Sequence, residues 1–469
     1  MPINSFLYPG AKFTPAYEVA NSLRFNRGSS DYLNRTPSSE GNKRTMTFSF
    51  WLKRTQITAE TYFIYSAGAD ANNRDAIMFA NQSLRVISQR NDTTYWLRNT
   101  TRLFRDSSAW SHIVIAIDTT QGTDSNRIKI YINGVQETAF ETYAWGSAYP
   151  SQNFDTYFND DISQAIGSYS QSSGNHHDGY ISEFVMIDGQ QLTPTSFGEF
   201  DEDSGIWKPK AVSGLTFGTN GFYLDFEDSG ALGDDVSGNG NDFTVNNLTA
   251  VDQSTDTPTN NFCTLNPLQI GPRNNQSESA GTFSEGNLNV LGTGTADDFA
   301  GTIAVSTGKW FYEVKLLTAL NHGAGFTLLT DFTGESTVSN GIVNGAFQYG
   351  SHEGGSSSRI ANNGDTSVSP QNNFDDDDII SFAFDIDGGT LKIYNNGSLD
   401  RTISSIPAGT YIPIGGDSSS TDASLSFNFG SPSYSESGGN SDGNGYGNFS
   451  MAVPSGYYAL CTKNLAEYG

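Results

Sequence analysis

The chain has 469 residues, 51 Asp and Glu against 25 Lys and Arg for a formal net charge of −26, and a high content of Gly (50), Phe (31) and Tyr (22). A pI near 4.3 argues against a nucleic-acid binder, because phosphate backbones are held by Lys- and Arg-rich faces. The longest apolar stretches, Ile113–Ile117 and Ile379–Phe384, fall far short of the ~20 residues of a spanning helix, so no membrane insertion is expected.

In chain order, residues 1–20 carry Pro2, Pro9 and Pro15 among aromatics and read as an extended arm, packed on its own domain or anchored to a partner. Met1–Pro15 has neither a basic n-region nor an apolar h-region, so no secretory signal and a cytosolic start are expected. From there alternation of period two dominates and no 3.6-residue pattern is sustained, which predicts an all-β fold. Phe48–Leu52, His112–Ile117 and Ile128–Ile132 are β-branched and aromatic runs bounded by Gly, Asn or Asp, and Asn133-Gly134 supplies a turn that tolerates positive φ. Trp51, Trp110 and Trp310 are expected to fill space between sheets.

Residues 201–275 change character, with Gly and Asp crowding, and read as a connector in which Phe222–Phe226 and Phe243–Val245 form a hairpin. Beyond it, Phe384-Asp385 followed by Leu391-Lys392-Ile393-Tyr394-Asn395-Asn396-Gly397 repeats, 263 residues later, the phrase Ile117-Asp118 followed by Ile128-Lys129-Ile130-Tyr131-Ile132-Asn133-Gly134. That distance fits one sandwich plus a connector, so two related sandwiches are expected, over residues 21–200 and 276–469. Cys263 and Cys461, 198 positions apart, make no disulfide framework; a cytosolic start favours reduced thiols.

The phrases Leu23-Arg24-Phe25, Thr47–Leu52, Trp110–Ile113, Ile130–Gly134 and Gly179–Phe184 resemble, in content and order, the laminin-G-like or pentraxin-like members of the concanavalin A-like lectin/glucanase superfamily. This implies a jelly roll of two antiparallel sheets. Gly308–Val314, Asp378–Asp385, Tyr394–Gly397 and Leu425–Gly430 resemble a SPRY-type domain, a distant relation of the same sandwich. The pairing, with the linker Gly233–Phe243, is similar to virion structural proteins of marine tailed bacteriophages.

Glucanases of this superfamily carry Glu-x-Asp-x-x-Glu on one strand face; that signature is absent. The nearest substitutes are Asp225/Glu227 and Asp385/Asp387, i, i+2 pairs that a strand places on one face. Asp235-x-Ser237-x-Asn239-Gly240 follows the first half of a calcium loop, but its twelfth position is Asn246 instead of Glu. Calcium at Asp235, Ser237 and Asn239 is the candidate cofactor. His176-His177-Asp178 and Asp375–Asp378 read as solvated loops. Exposed aromatics with polar neighbours suit sugars, whose C–H faces stack on rings; candidates are Tyr95 with Trp96, Tyr143 with Trp145, Tyr349 with His352, and Tyr446.

With no catalytic constellation, the expected role is a non-enzymatic virion surface protein, a tail fibre or adhesin or a capsid decoration, assembled in the host cytoplasm. Its expected partners are other capsid or tail proteins, copies of itself and a host-surface glycan. A glucanase-like enzyme and a SPRY-type intracellular interaction protein are the alternatives.

Overall fold

The computed structural model describes residues 17–58, 60–70, 72–144, 146–170, 174–270, 281–292, 297–318, 322–332, 346–350, 359–362, 365–368, 374–417, 424–436 and 438–469. The expected arm Met1–Pro15 lies outside them. Among the described residues, α-helix is confined to Leu329–Phe332 and Thr462–Tyr468, as the missing 3.6-residue period requires.

The first sandwich is built from β1 (Ser22–Phe25), β2 (Tyr32–Arg35), β3 (Thr45–Arg54), β4 (Thr61–Asp70), β5 (Asn73–Ala80), β6 (Ser83–Arg90), β7 (Thr93–Leu103), β8 (Trp110–Asp118), β9 (Ile128–Ile132), β10 (Val135–Gln136), β11 (Gln164–Ile166) and β12 (Gly179–Asp188). One sheet runs β10-β9-β8-β3-β12-β1 and the other β2-β11-β4-β5-β6-β7. Phe48, Phe50 and Ile115 of one sheet meet Tyr65, Ile77 and Val86 of the other in a single closed core. Phe50 stacks on Phe184 with ring centroids 5.0 Å apart, and each such enclosed side chain stabilises by about 1.5–3 kcal/mol.

The second sandwich consists of β13 (Asn289–Leu291), β14 (Asp297–Gly301), β15 (Lys309–Thr318), β16 (His322–Leu328), β17 (Phe347–Gly350), β18 (Arg359–Asn362), β19 (Asp365–Val368), β20 (Ile379–Asp385), β21 (Thr390–Asn395), β22 (Ser398–Ser404), β23 (Tyr411–Asp417) and β24 (Ser424–Asn428). Its sheets run β22-β21-β20-β15-β24-β13 and β14-β23-β16-β17-β18-β19. Adding twelve to every label of the first sandwich reproduces the second, so the architecture is duplicated strand by strand. The repeated phrase marks equivalent hairpins. Asn133 and Gly134 have φ of 49° and 78°, and Asn396 and Gly397 have 47° and 79°, the double positive φ of a type I′ turn.

The connector departs from its expected form. Phe222–Leu224 pairs with β12 and Thr244–Asn246 with β2, so the two segments add to opposite sheets and form no hairpin with each other. Their aromatics do meet: Phe243 lies edge-on to Phe222 at 4.8 Å inside the first core. Covering the core's open side with apolar residues prevails over local pairing.

Of the three tryptophans expected between sheets, Trp310 alone sits in an intersheet core. Trp51 alternates with Phe50 and Leu52 and so faces outward, where it stacks on His112 at 4.7 Å. Trp110 is half-buried at the junction of the sandwiches and donates to Asp256 Oδ1 at 3.0 Å. That junction is polar. Lys53, fully buried, pairs with Asp256 at 2.7 Å, and Arg24 donates to the Val251 and Pro432 carbonyls at 2.8 and 3.2 Å. Cys263 and Cys461 are buried free thiols.

Candidate functional site

Strand β7 ends its sheet, and an uncovered edge offers a row of unpaired N–H and C=O groups. The chain after β10 folds back to fill them. Thr101 N donates to Ala139 O at 3.1 Å, Glu141 N to Asn99 O at 2.8 Å, Leu97 N to Ser147 O at 2.9 Å and Ser147 N to Tyr95 O at 3.1 Å. This clasp leaves two adjoining clefts. One, of about 180 Å³, is lined by Tyr95, Trp96, Arg127 and Phe154. The other, of about 270 Å³, is lined by Arg98, Thr138, Phe140, Glu141 and Tyr143. Ser147 and Tyr149 line both.

Arginines and aromatic rings organise the clefts. Arg98 lies opposite Val86 across the ladder, with its guanidinium carbon 3.4 Å from the Phe140 ring centroid and 4.5 Å from that of Tyr149. Its Nε is buried without an acceptor, and burial lowers its pKa. On the opposite face of the strand, Arg85 donates to Asn99 Oδ1 at 3.1 Å and to the Tyr143 hydroxyl at 3.2 Å. The Tyr143 hydroxyl in turn bonds Glu141, and burial raises its pKa.

Charge is unevenly divided. Residues 21–200 hold 15 Lys and Arg, 12 of them Arg, against 18 Asp and Glu, whereas residues 201–469 hold 9 against 32. The nearly neutral first sandwich is therefore the half that tolerates a polar or anionic ligand.

Sequence reading named some of this site. Tyr95, 50% exposed, offers a ring at one cleft, and the structure brings it to the same clasp as Tyr143. Trp96 lies in that cleft wall but is only 1% exposed and belongs to the core, so it presents no stacking face. Trp145 and His352 lie outside the described residues. Tyr349, fully buried, packs on Phe374 and Phe382 in the second core and is unavailable to a sugar. Tyr446 is half-buried, 5.2 Å from Lys463 Nζ. Arg98, Phe140 and Tyr149 were missed, because only the clasp brings positions 98, 140 and 149 together.

The other candidates are internally engaged. Asp235 accepts Tyr223 N and Ser237 N on Oδ1, and Ser237 Oγ and Asn241 N on Oδ2, at 2.8–3.0 Å. Asn239 Nδ2 donates to the Gly218 and Gly221 carbonyls. The loop is thus a donor-filled turn that ties the connector to itself. His176 and His177 are buried, contrary to the expected solvated loop; their rings pack on Tyr32 and Phe25. Asp375, Asp376 and Asp377 are exposed. Asp225 accepts Glu227 N, Asp385 pairs with Lys309 at 2.9 Å and Asp387 accepts Gly308 N, so each of these carboxylates holds local structure.

With this geometry in place, the chain can be set beside known proteins. Residues 27–196 match a laminin G family model of the concanavalin A-like lectin/glucanases superfamily, a lectin-like binding fold, and the match lies on the first sandwich. No curated protein matches the sequence. Among solved structures, the chain is similar to the SPRY domain of human HERC1, at TM-score 0.28 and 13% identity over 35% of this chain and 96% of that one. It is also similar to domain 4 of AbnA, a GH43 extracellular arabinanase from Geobacillus stearothermophilus in complex with arabinotriose, at 0.24 and 20% over 33% and 65%. A third is the heptameric SAP-like pentraxin from Limulus polyphemus, at 0.26 and 15% over 38% and 80%. The four SPRY-like phrases of the second half fall on β15, β20, the β21–β22 turn and β24.

Proposed function

We propose that the chain is a non-enzymatic binding protein displayed on the surface of a tailed-phage particle, and that its first sandwich holds a host-surface saccharide at the β7 clasp. The observation that carries the binding site is the exposed Tyr95 ring beside two clefts rimmed by hydroxyls and guanidinium groups. Sugar C–H faces stack on such a ring while hydroxyls take the polar rim. The virion setting is supported by the resemblance of the paired sandwiches and their linker to phage structural proteins.

Binding is tested by titrating oligosaccharides into the full chain and its Tyr95→Ala variant. A loss of about tenfold in affinity, near 1.4 kcal/mol, is expected. Unchanged affinity removes the clasp from the reading. Mass spectrometry of purified particles tests display: a fixed copy number is expected, and absence from particles refutes it. The enzymatic alternative predicts reducing-end release from polysaccharides that disappears in Glu227→Gln or Asp387→Asn, and no release is expected.

A further inference from the structure

We infer that the clasp selects acidic saccharides, with Arg98 receiving the carboxylate of a uronic-acid-type sugar. The inference rests on the saccharide reading above and adds the ligand's charge.

Arginines of this sandwich are, as a rule, engaged by acceptors. Arg44, Arg90 and Arg102 pair with Asp155, Asp75 and Glu137, and Arg35, Arg54 and Arg127 donate to backbone carbonyls. Arg98 differs. Its Nε is buried and unpaired, as are those of Arg24, Arg35 and Arg74, but among the described residues its guanidinium has no carboxylate partner, and it lines the larger cleft. The group is held against the rings of Phe140 and Tyr149, 3.4 and 4.5 Å from their centroids.

Arg98 is half-buried, and a charged donor that gives up water without gaining a partner is destabilised. Contact with the rings serves only the faces of the ion; its Nε is enclosed, so the terminal Nη groups are the donors left for a ligand in the cleft. What fits there is a planar acceptor with two oxygens, which a carboxylate supplies in the bidentate geometry that guanidinium favours. The nearby acids do not compete: Glu137 is held by Arg102 and Glu141 by the Tyr143 hydroxyl. Thr138 and Thr142 on the cleft wall remain for ring hydroxyls, and Tyr95 of the adjoining cleft for a neighbouring sugar.

The test is calorimetric titration of the full chain with oligogalacturonate, the matching neutral galacto-oligosaccharide and a sulfated galactan oligomer. Oligogalacturonate is expected to bind at least about tenfold tighter than the neutral oligomer, and tighter than the sulfated one. Arg98→Met, which keeps an apolar stem against the two rings, is expected to abolish that preference; Arg98→Lys keeps the charge without the fork and is expected to restore part of it. Independently of any variant, raising the salt concentration is expected to weaken oligogalacturonate and leave the neutral oligomer unchanged.

Equal binding of acidic and neutral oligomers, or a preference that survives Arg98→Met in a protein that melts like the parent, overturns the inference while the saccharide reading stands. Preference for the sulfated oligomer reassigns Arg98 to a sulfate and also overturns it. Binding of none of the three removes the saccharide reading and the inference together.

Discussion

The two sandwiches solve one problem with different chemistry. Each buries a polar side chain on the outer face of the central sheet that holds β3 or β15, and each uses it to hold down a later stretch of chain. In the first it is His112 on β8, whose Nδ1 accepts Trp207 Nε1 at 2.9 Å. Because that nitrogen accepts, Nε2 carries the proton and donates to Ser49 Oγ at 2.9 Å. In the second it is Glu313 on β15, which accepts Ser450 N and Met451 N at 2.9 and 3.1 Å, and Asn428 Nδ2 and Ser381 Oγ at 3.2 Å. A ring-to-ring strap loses packing when broken, whereas a carboxyl strap strands donors. The two halves share the order of their strands and differ in how the outer faces are fastened.

The largest effect is expected where donors are stranded. Glu313→Ala strands two backbone N–H groups and one N–H of the Asn428 amide, whose other bond to Asn448 O remains, in a buried site at about 1–3 kcal/mol each, so a loss of about 4 kcal/mol in urea unfolding is expected. Glu313→Gln keeps one acceptor oxygen and is expected to lose about half as much. Equal losses in the two variants would mean that shape, and not hydrogen bonding, fastens residues 450–451.

The twin hairpins give a sharper contrast. Gly134 and Gly397 share a turn conformation, so Gly→Ala at either is expected to cost about 1 kcal/mol for positive φ. A Cβ at Gly134 would also lie 2.3 Å from the Trp207 ring, while at Gly397 the nearest atom is 3.8 Å away. Gly134→Ala is therefore expected to cost about 2 kcal/mol more than Gly397→Ala. Matching melting temperatures for the two would show that Trp207 yields freely.

The same contrast explains what was legible in the sequence. The hairpins were, because Lys-Ile-Tyr before Asn-Gly is a local signal that combines strand alternation with a turn residue needing no tertiary partner. The place of Trp51 was not: an aromatic in a strand reads as core, and only the later segment around Trp207 makes the outer face a second interior. Tyr95 and Tyr143 were nameable as aromatics with polar neighbours. Arg98 was not, since its significance lies in acceptors that are absent and rings that arrive 42 and 51 positions later. Local propensity is written in neighbours; a site made by a clasp is written in its closure.

The smallest expected effect is in pH dependence, and there the two fastenings oppose each other. Burial raises Glu313 to about 7, and likewise Glu183 and Asp178 to about 7. Each of these groups binds its proton more tightly folded than unfolded, so its stabilisation is fully present below about pH 4 and is lost as pH rises toward 7. Burial lowers His112 and His177 to about 3; their contribution is present above about pH 6.5 and is lost as pH falls toward 3. From pH 8 down to about 6.5 only the carboxyls act, so stability rises. Between about 6.5 and 4.5 the protons held by these buried carboxyls and by Asp31, which burial raises to about 6, outweigh those the unfolded histidines take up, and below that the histidine loss prevails. Thermal melts are therefore expected to peak near pH 5, several degrees above their value at pH 8. Replacing Glu313 by Gln should make the rise between pH 8 and 6.5 shallower, and His112→Gln should weaken the loss below about pH 5; a peak that stays at neutral pH would show that these buried groups do not set the profile.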